Sequence, residues 1–429
     1  MDPERSSRIE NVKQTFSAGQ DLLQNIFVVG GYSILSVVFM VLFHLLAARY
    51  LGPQEYSVLG TFASVLFTVI LVSGSMYLII TRFITYHHTR YQYEQIKYLV
   101  NTALKYFFAA GFLVFLILFI FAAPIAVFFN INSIGPVVMF GFAVWLQLLV
   151  PVYEGAFKGL ENLHAMGRMR VIEAGSRWII ALVFAYLSLK TTAMVFALGL
   201  GTFVALSYTY VSIRELQHLH SVRPNMQEIF DYAKPVVLMT ATIALLLNMD
   251  VILVKHYFAP EQAGIYAAAS LLAKIPFLVS WVFSSVIFPR VTKLYVDGRP
   301  SGHLLRISLK YMSIIMVLST FVNIFFANSL FRVVFGPEYQ IGSYIGLYAF
   351  AMGLLAIVNI LVIYQLALKR FTLAKIIPWF FVLEAVLFMF FHDTIFQIVT
   401  VTVFVTALLV ATTLYVLRNE LHLEYLFNE

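Results

Sequence analysis

Ionisable side chains interrupt several long apolar segments in the second half of this chain. Asp250 lies within Leu-Leu-Asn-Met-Asp-Val, and Lys255 follows five residues later. Lys274 lies well inside the next apolar segment, and Glu384 lies inside a later one. A charged group in an apolar span is costly and usually faces a cavity or a partner, so each is a candidate for function. The lysines could bind an anionic group, and the carboxyl groups could exchange a proton or hold an ion.

Two pairs of opposite charge also admit a structural interpretation. Asp250 and Lys274 could form a buried ion pair, and Glu173 and Arg177 have the four-residue spacing of a helical ion pair. For Asp250 with Lys274 we favour a functional role, because charges inside a membrane bundle usually line cavities. For Glu173 with Arg177 we favour the structural pair, since both lie near the end of their segment.

Arg82 and Arg290 close two apolar segments at equivalent places in the two halves of the chain. Anchoring at lipid headgroups explains both residues. An arginine at the mouth of a cleft could also bind a phosphate in bidentate fashion, and both interpretations stay open. Glu154, toward one end of the fourth apolar segment, joins Asp250 and Glu384 as a candidate for ion coupling.

These side chains are positioned by a sequence that the chain contains twice. Residues 45–60 return as residues 252–267, so that Pro53 and Pro260 are 207 residues apart. In both copies an apolar helix ends in a cation and a tyrosine, breaks at a proline turn and resumes as a second apolar helix. Later landmarks recur at a similar distance. The sequence therefore predicts two homologous halves.

The composition places these halves in a membrane. Of the 429 residues, 61% are hydrophobic and 11% are charged, and the mean hydropathy is +0.88. A soluble domain of this size would not tolerate that surface, so a polytopic membrane protein is expected. The polar N-terminus and the long first apolar run argue against a cleavable signal peptide. The absence of cysteine excludes disulfides, thiol catalysis and cysteine metal sites.

Twelve apolar runs are long enough to cross a bilayer as helices. They are expected at residues 26–49, 56–80, 100–128, 134–157, 171–189, 192–213, 233–257, 263–288, 307–329, 341–366, 372–391 and 394–417.

The distribution of cations predicts the orientation of these spans. Of the 28 lysines and arginines, 22 fall on the side that carries both termini, four on the other side and two within spans. The positive-inside rule therefore places both termini in the cytoplasm of a multi-pass protein of the cell membrane. Two six-helix bundles related by a pseudo-twofold axis along the membrane normal should enclose a central cleft.

The predicted domains follow from these spans. They are a cytoplasmic N-terminal segment (1–25), an N-terminal six-helix bundle (26–213), a cytoplasmic linker helix (214–232), a C-terminal six-helix bundle (233–417) and a cytoplasmic tail (418–429).

No motif of a soluble enzyme is present. The chain contains no phosphate-binding Gly-rich loop with Lys-Ser/Thr, no His-Glu-x-x-His, no Gly-x-Ser-x-Gly and no Asp-x-Asp. We therefore expect no catalytic residue, no metal and no cofactor, and a transporter rather than an enzyme.

Six short segments, taken in order, resemble those of a known family. They are Ala48–Tyr56, Phe230–Pro235, Asn248–Asp250, Ala263–Ala269, Phe288–Arg290 and Phe335–Tyr339. Together they resemble the oligosaccharide flippases, the Wzx or polysaccharide-transporter family. This family belongs to the multidrug/oligosaccharidyl-lipid/polysaccharide exporter superfamily. The similarity covers nearly the whole chain, and twelve spans fit the polysaccharide branch.

The resemblance implies a flippase that moves an isoprenoid-diphosphate-linked oligosaccharide from the cytoplasmic to the outer leaflet. Alternating access, ion coupling and a place in cell-surface polysaccharide biosynthesis are expected with it. The resemblance assigns Asp250 a coupling or substrate-contact role. Charge and position alone add Lys274, Lys255, Arg290 and Arg82 as substrate-binding candidates.

The expected partners are the lipid-linked oligosaccharide, membrane lipids, a glycan polymerase and glycosyltransferases, without nucleic acid. Two alternatives stay open, which are a cation-coupled multidrug-type exporter of the same superfamily and a noncatalytic membrane scaffold for polysaccharide assembly. A membrane-embedded polymerase or ligase is disfavoured, because the outer loops are too short to hold its catalytic residues.

Overall fold

A computed structural model describes residues 3–212, 222, 226–296, 298–340 and 342–421 of the chain. All regular structure within these ranges is helical. The helices are α1 (Pro3–His88), α2 (Tyr93–Ile120), α3 (Ala122–Phe128), α4 (Gly135–Gln147), α5 (Val150–Gly159), α6 (Leu163–Tyr186), α7 (Thr191–Ser212), α8 (Met226–Tyr257), α9 (Pro260–Ala273), α10 (Ile275–Val296), α11 (Gly302–Val334), α12 (Ile345–Ala367), α13 (Ile377–Phe390) and α14 (Ile395–Leu421). A short 3-10 turn, Thr372–Lys375, precedes α13.

The described helices cross the membrane twelve times, as the sequence predicts. Ten segments are long and apolar enough to span it. The first of these, Gly30–His88, holds two spans, because α1 is broken at Gly52, where φ is 70°. Glycine adopts this conformation without strain, and Pro53 can start the next span because it needs no intrahelical donor there. The charged helix α6 supplies the twelfth span.

Prolines divide two spans that the sequence analysis treated as unbroken. Pro276 cannot donate a backbone hydrogen bond, and the eighth span accordingly breaks at Lys274, between α9 and α10. Pro151 has the same effect on the fourth span, which is divided between α4 and α5. The first break coincides with a buried cation, Lys274.

The helices of the second half repeat those of the first in order. The two spans of α1 correspond to α8 and to α9 with α10. The longer α2–α3 segment corresponds to α11, α4–α5 to α12, α6 to α13 and α7 to α14. The predicted pair of six-helix bundles is confirmed. The bundles pack together mainly through α1, which runs against α8 and α9.

A close backbone approach fixes how α1 meets α9. A Cβ atom on Gly264, near the start of α9, would lie 1.8 Å from the carbonyl oxygen of Pro53. Only glycine at position 264 allows the two turns between helices to pack this tightly. Because the spans are even in number, both described chain ends lie at the same end of the bundle. We call this the proximal end, and the end that carries Gly52 the distal end.

Two predicted boundaries fall partly outside the described residues. Of the predicted linker helix (214–232), only residue 222 and the start of α8 are described, and the tail is described only to Leu421. No helix break marks the predicted boundary at residue 25, since α1 runs through it. The domain limits therefore stay predictions.

Candidate functional site

The buried charges of the second half meet in a polar cluster between α8 and α9. Asp250 accepts a hydrogen bond from the hydroxyl of Tyr266 through Oδ2, at 2.6 Å. Lys274 donates from Nζ to Oδ1 of Asn248, at 2.9 Å. Asp250 and Lys274 are 1% and 6% exposed, so both lie in the interior. We call these four residues the C-half cluster.

The local helix geometry explains how the cluster is held. The Nδ2 of Asn248 donates to the backbone carbonyl of Ala244 one turn earlier, which turns Oδ1 toward Lys274. Lys274 itself lies at the break before Pro276, between α9 and α10. The cluster thus depends on the hydrogen bond from Asn248 to the backbone of its own helix and on the helix break at Lys274.

Asp250 and Lys274 do not form a direct ion pair among the described residues. Their hydrogen-bond partners are the neutral groups of Tyr266 and Asn248 instead. The second carboxyl oxygen of Asp250 and the hydroxyl of buried Tyr348 have no hydrogen-bond partner within the described structure. The described structure therefore lacks the direct contact that a structural ion pair between Asp250 and Lys274 would make.

Glu384 lies in the interior of the same half, on α13. It is fully buried, and neither of its carboxyl oxygens has a hydrogen-bond partner in the described part of the chain. Buried polar groups are normally satisfied, and unpaired ones are often found at sites that bind or exchange a ligand. Glu384 became a candidate from the sequence because of its depth in the span. The structure adds that its carboxyl oxygens have no hydrogen-bond partner among the described residues.

The other predicted binding residues lie apart from the C-half cluster. Lys255 is buried at the distal end and donates from Nζ to Oγ of Ser57 in α1, at 2.8 Å. Arg82 and Arg290 are exposed at the proximal end, on α1 and α10. The structure therefore distributes the four predicted cations over the length of the molecule.

The carboxylate of Glu154 is held in a bidentate ion pair near the proximal end. Its Oε1 accepts from Nε of Arg170 at 2.5 Å, and its Oε2 accepts from Nη2 at 3.3 Å. This pair joins α5 to α6. Of the three predicted ion-coupling residues, only Glu154 has a cationic partner among the described residues.

A second polar network lies inside the first half. Arg177 pairs with Glu173, as the four-residue spacing predicts. Arg177 also donates to the side chains of Gln147, at 3.0 Å, and Thr202, at 2.9 Å. These contacts connect α4, α6 and α7 and satisfy both charges, which supports the structural role. Gln147 and Thr202 were not predicted from the sequence, because a neutral polar residue in a span carries little signal without its partner.

Most of the chain matches a known protein family. The model of a family described as polysaccharide biosynthesis protein matches residues 45–344. A relative from Haloferax volcanii, described as probable low-salt glycan biosynthesis flippase Agl15, is 27% identical over 214 residues. This similarity covers 48% of the present chain and 45% of the relative, so the chain matches about half of that protein's length.

Solved structures share the fold at low sequence identity. An inward-facing multidrug resistance MATE family transporter of the MOP superfamily has a TM-score of 0.73 at 10% identity, and the alignment covers 92% of this chain and 96% of that one. The lipid II flippase MurJ, in an inward closed conformation, has a TM-score of 0.67 at 13% identity, with coverage of 91% and 87%. The twelve-helix arrangement described above is therefore one that known transporters and flippases adopt.

Proposed function

Because this chain belongs to the polysaccharide biosynthesis protein family, we propose that it is a flippase for an isoprenoid-diphosphate-linked oligosaccharide. It carries the glycolipid from the cytoplasmic to the outer leaflet by alternating access of a cleft between its two halves. The proximal end is then cytoplasmic, in agreement with the excess of lysine and arginine there. Glycosyltransferases that build the oligosaccharide and a polymerase that uses it are the partners this role requires.

The C-half cluster is the observation that carries this proposal. Lys274 is buried, yet its ammonium group is held by a neutral amide rather than by a carboxylate. A scaffold protein gains nothing from such a group, since burying a charge without an opposite charge costs free energy. A diphosphate could replace the amide as the partner of Lys274 without first breaking an ion pair. This arrangement supports an anionic substrate over the cationic drugs of an exporter.

The remaining cations have places along the proposed route. Arg82 and Arg290 lie exposed at the proximal end, where a planar guanidinium can bind phosphate oxygens on arrival. Lys274 receives the diphosphate next, and Lys255 lies nearer the distal end. In the described state Lys255 donates a hydrogen bond to Ser57 in the other half. Lys255 can therefore bind the diphosphate only when that contact opens.

Ion coupling is assigned to Asp250 and Glu384. Both are buried in the second half, and each has at least one carboxyl oxygen without a hydrogen-bond partner in the described structure. A proton or a cation bound there would change the charge that Lys274 experiences. Glu154 is the third coupling candidate, and its pairing with Arg170 means that protonation would have to release that ion pair.

Ligand-dependent stabilisation of the purified protein tests the substrate class. A ligand that binds only the folded protein raises its unfolding temperature, and the rise grows with the logarithm of the ratio of ligand concentration to Kd. We expect an isoprenoid-diphosphate oligosaccharide to stabilise the protein more than the same isoprenoid as a neutral alcohol, and an organic drug cation to have no effect. Stabilisation by the drug cation but not by the diphosphate would favour the exporter instead.

A further inference from the structure

At the distal end, hydrogen bonds connect the first helix of one half to the third helix of the other half. Arg49, at the end of the first span of α1, donates from Nε to the carbonyl oxygen of Val334, at 2.9 Å. Its Nη2 donates to the carbonyl oxygen of Val333. Tyr339, just beyond α11, donates back to the carbonyl oxygen of Ala48, at 3.0 Å. Burial raises the pKa of Tyr339, so its hydroxyl keeps the proton that it donates.

A second set of contacts lies at the same end with the halves exchanged. His256, in the last turn of α8, has its Nδ1 2.7 Å from the carbonyl oxygen of Phe128, the last residue of α3. A carbonyl oxygen can only accept, so Nδ1 carries the proton. The imidazole also stacks on the Phe128 ring, with centroids 3.9 Å apart. Asn130, just beyond α3, donates from Nδ2 back to the carbonyl oxygen of His256, at 3.1 Å.

The duplicated sequence makes these two sets equivalent. Arg49 and His256 occupy the same position in the repeat of residues 45–60 and 252–267. In both sets a side chain at the end of a first helix reaches the last carbonyls of a third helix, and a residue beyond that third helix donates back. Such terminal carbonyls have no partner in their own helix and carry partial negative charge. The same chemistry therefore holds the halves together twice.

We propose that the two sets form one gate, the distal clasp, which holds the distal end shut and must release both sets for that end to open. The inference rests on the proposed function in that the distal end is the side of glycolipid release. Beneath the clasp, Gly264 packs on Pro53 and Lys255 contacts Ser57.

The two sets differ in strength because their donors differ. The guanidinium of Arg49 is always charged and spans two carbonyls, whereas the imidazole of His256 offers one proton to one carbonyl. Arg49 should therefore contribute more to closure than His256. Replacing His256 with arginine would give both sets a permanent cation.

A single cysteine can report opening of the clasp, since the chain has none of its own. Ala263, near the start of α9, is 2% exposed, and Ala263→Cys should react slowly with a membrane-impermeant thiol reagent added on the distal side of proteoliposomes. In this background we expect Arg49→Ala and His256→Ala each to raise the reaction rate, by about three- to tenfold. The double variant should show about the product of the two effects, because both sets hold the same closed state. His256→Arg should give a rate no higher than that of the parent.

The matched control is Arg332→Ala, which removes another exposed cation in the last turn of α11. Its rate should equal that of the parent. The clasp is overturned if both alanine variants react at the parental rate, or if Arg332→Ala accelerates the reaction as much as they do. Arg49→Lys keeps the charge but loses the two-pronged donor, so an intermediate rate supports the clasp even if an alanine variant folds poorly, and a parental rate contradicts it. The readout is distal access rather than transport, so its failure is distinct from failure of the flippase proposal.

Discussion

At the scale of single residues, the central feature is that Lys274 and Asp250 are hydrogen-bonded to neutral side chains and not to each other. Each has a hydrogen-bond partner, Asn248 or Tyr266, that could be exchanged for a ligand. A direct ion pair would resist this exchange, because separating two buried charges leaves both uncompensated. The network around Arg177 shows the opposite arrangement, in which both charges are satisfied within the protein. We therefore expect substitutions in the two halves to have different consequences.

Replacing Lys274 with methionine should abolish most transport while preserving the fold. Methionine keeps much of the length and apolar volume of lysine but removes the ammonium group that would bind the diphosphate. A charged hydrogen bond contributes about 1.5–3 kcal/mol, so transport should fall at least about tenfold at limiting substrate. Translocation by reconstituted protein, normalised to protein amount, measures the effect. Lys310→Met, at an exposed position of α11, is the control, and an equal loss in both variants would remove Lys274 from the site.

Replacing Asp250 with asparagine tests ion coupling. Asparagine can still accept the hydrogen bond from Tyr266 but cannot release a proton or offer a carboxylate to a cation. The wild-type rate should depend on an imposed proton or sodium gradient, and the variant rate should be slower and independent of it. Asp393→Asn, at an exposed distal turn, should keep the wild-type dependence. A variant that responds to the gradient as wild type does would exclude Asp250 from coupling.

The charged members of the site could be found from sequence because charge in an apolar span is conspicuous. Their partners could not be found in the same way. Tyr348 is one aromatic residue among many in a strongly apolar helix, and only the packed helices show that its hydroxyl has no hydrogen-bond partner among the described residues. Sequence also could not distinguish Glu154, which is paired, from Glu384, which has no partner among the described residues.

At the scale of elements, helix breaks position the functional groups. The break at Lys274 brings a cation to the C-half cluster, and the turns at Gly52 and before Pro260 bring the two halves into contact. Glycine and proline made the turns at Gly52 and Pro260 predictable, whereas the break at Lys274 was missed because the apolar run continues through it. The ends of the helices were harder to predict, since α11 extends beyond its predicted span at both ends, where His303, Arg306 and Arg332 interrupt the apolar pattern. The apolar pattern marks the part of a helix in lipid and not the turns that continue outside it.

Replacing Gly264 with alanine should destabilise the contact between the two halves. The added methyl group would meet the backbone of Pro53, which cannot move away as a flexible side chain could. Overpacking of this kind costs about 1–3 kcal/mol, and a backbone clash should lie at the upper end. Thermal unfolding in detergent should show a lower midpoint for Gly264→Ala. Gly74→Ala, where a methyl group meets nothing within 4 Å, should unfold at or above the wild-type temperature. Equal midpoints for the two variants would contradict the packing described here.

At the scale of the whole molecule, the duplicated sequence explains both the fold and its likeness to known transporters. The contacts that hold one set of helix ends recur in the other set, so the two bundles meet each other in equivalent ways. The fold was largely predictable, since length, hydropathy and the repeated turn together fix the number of spans and their pairing. The clasp was not predictable, because Arg49 and His256 look like ordinary residues near a membrane surface until their acceptors are placed beside them.

Leaflet-resolved translocation in proteoliposomes tests the central claim most directly. A labelled isoprenoid-diphosphate oligosaccharide is placed in one leaflet, and its arrival in the other is followed by a probe that cannot cross the bilayer. The account predicts protein-dependent arrival for this substrate, at least about tenfold slower arrival with Lys274→Met, and no protein-dependent movement of the corresponding neutral isoprenoid. Arrival at the same rate in protein-free vesicles, or no arrival with folded wild-type protein under any ion gradient, would contradict the flippase proposal.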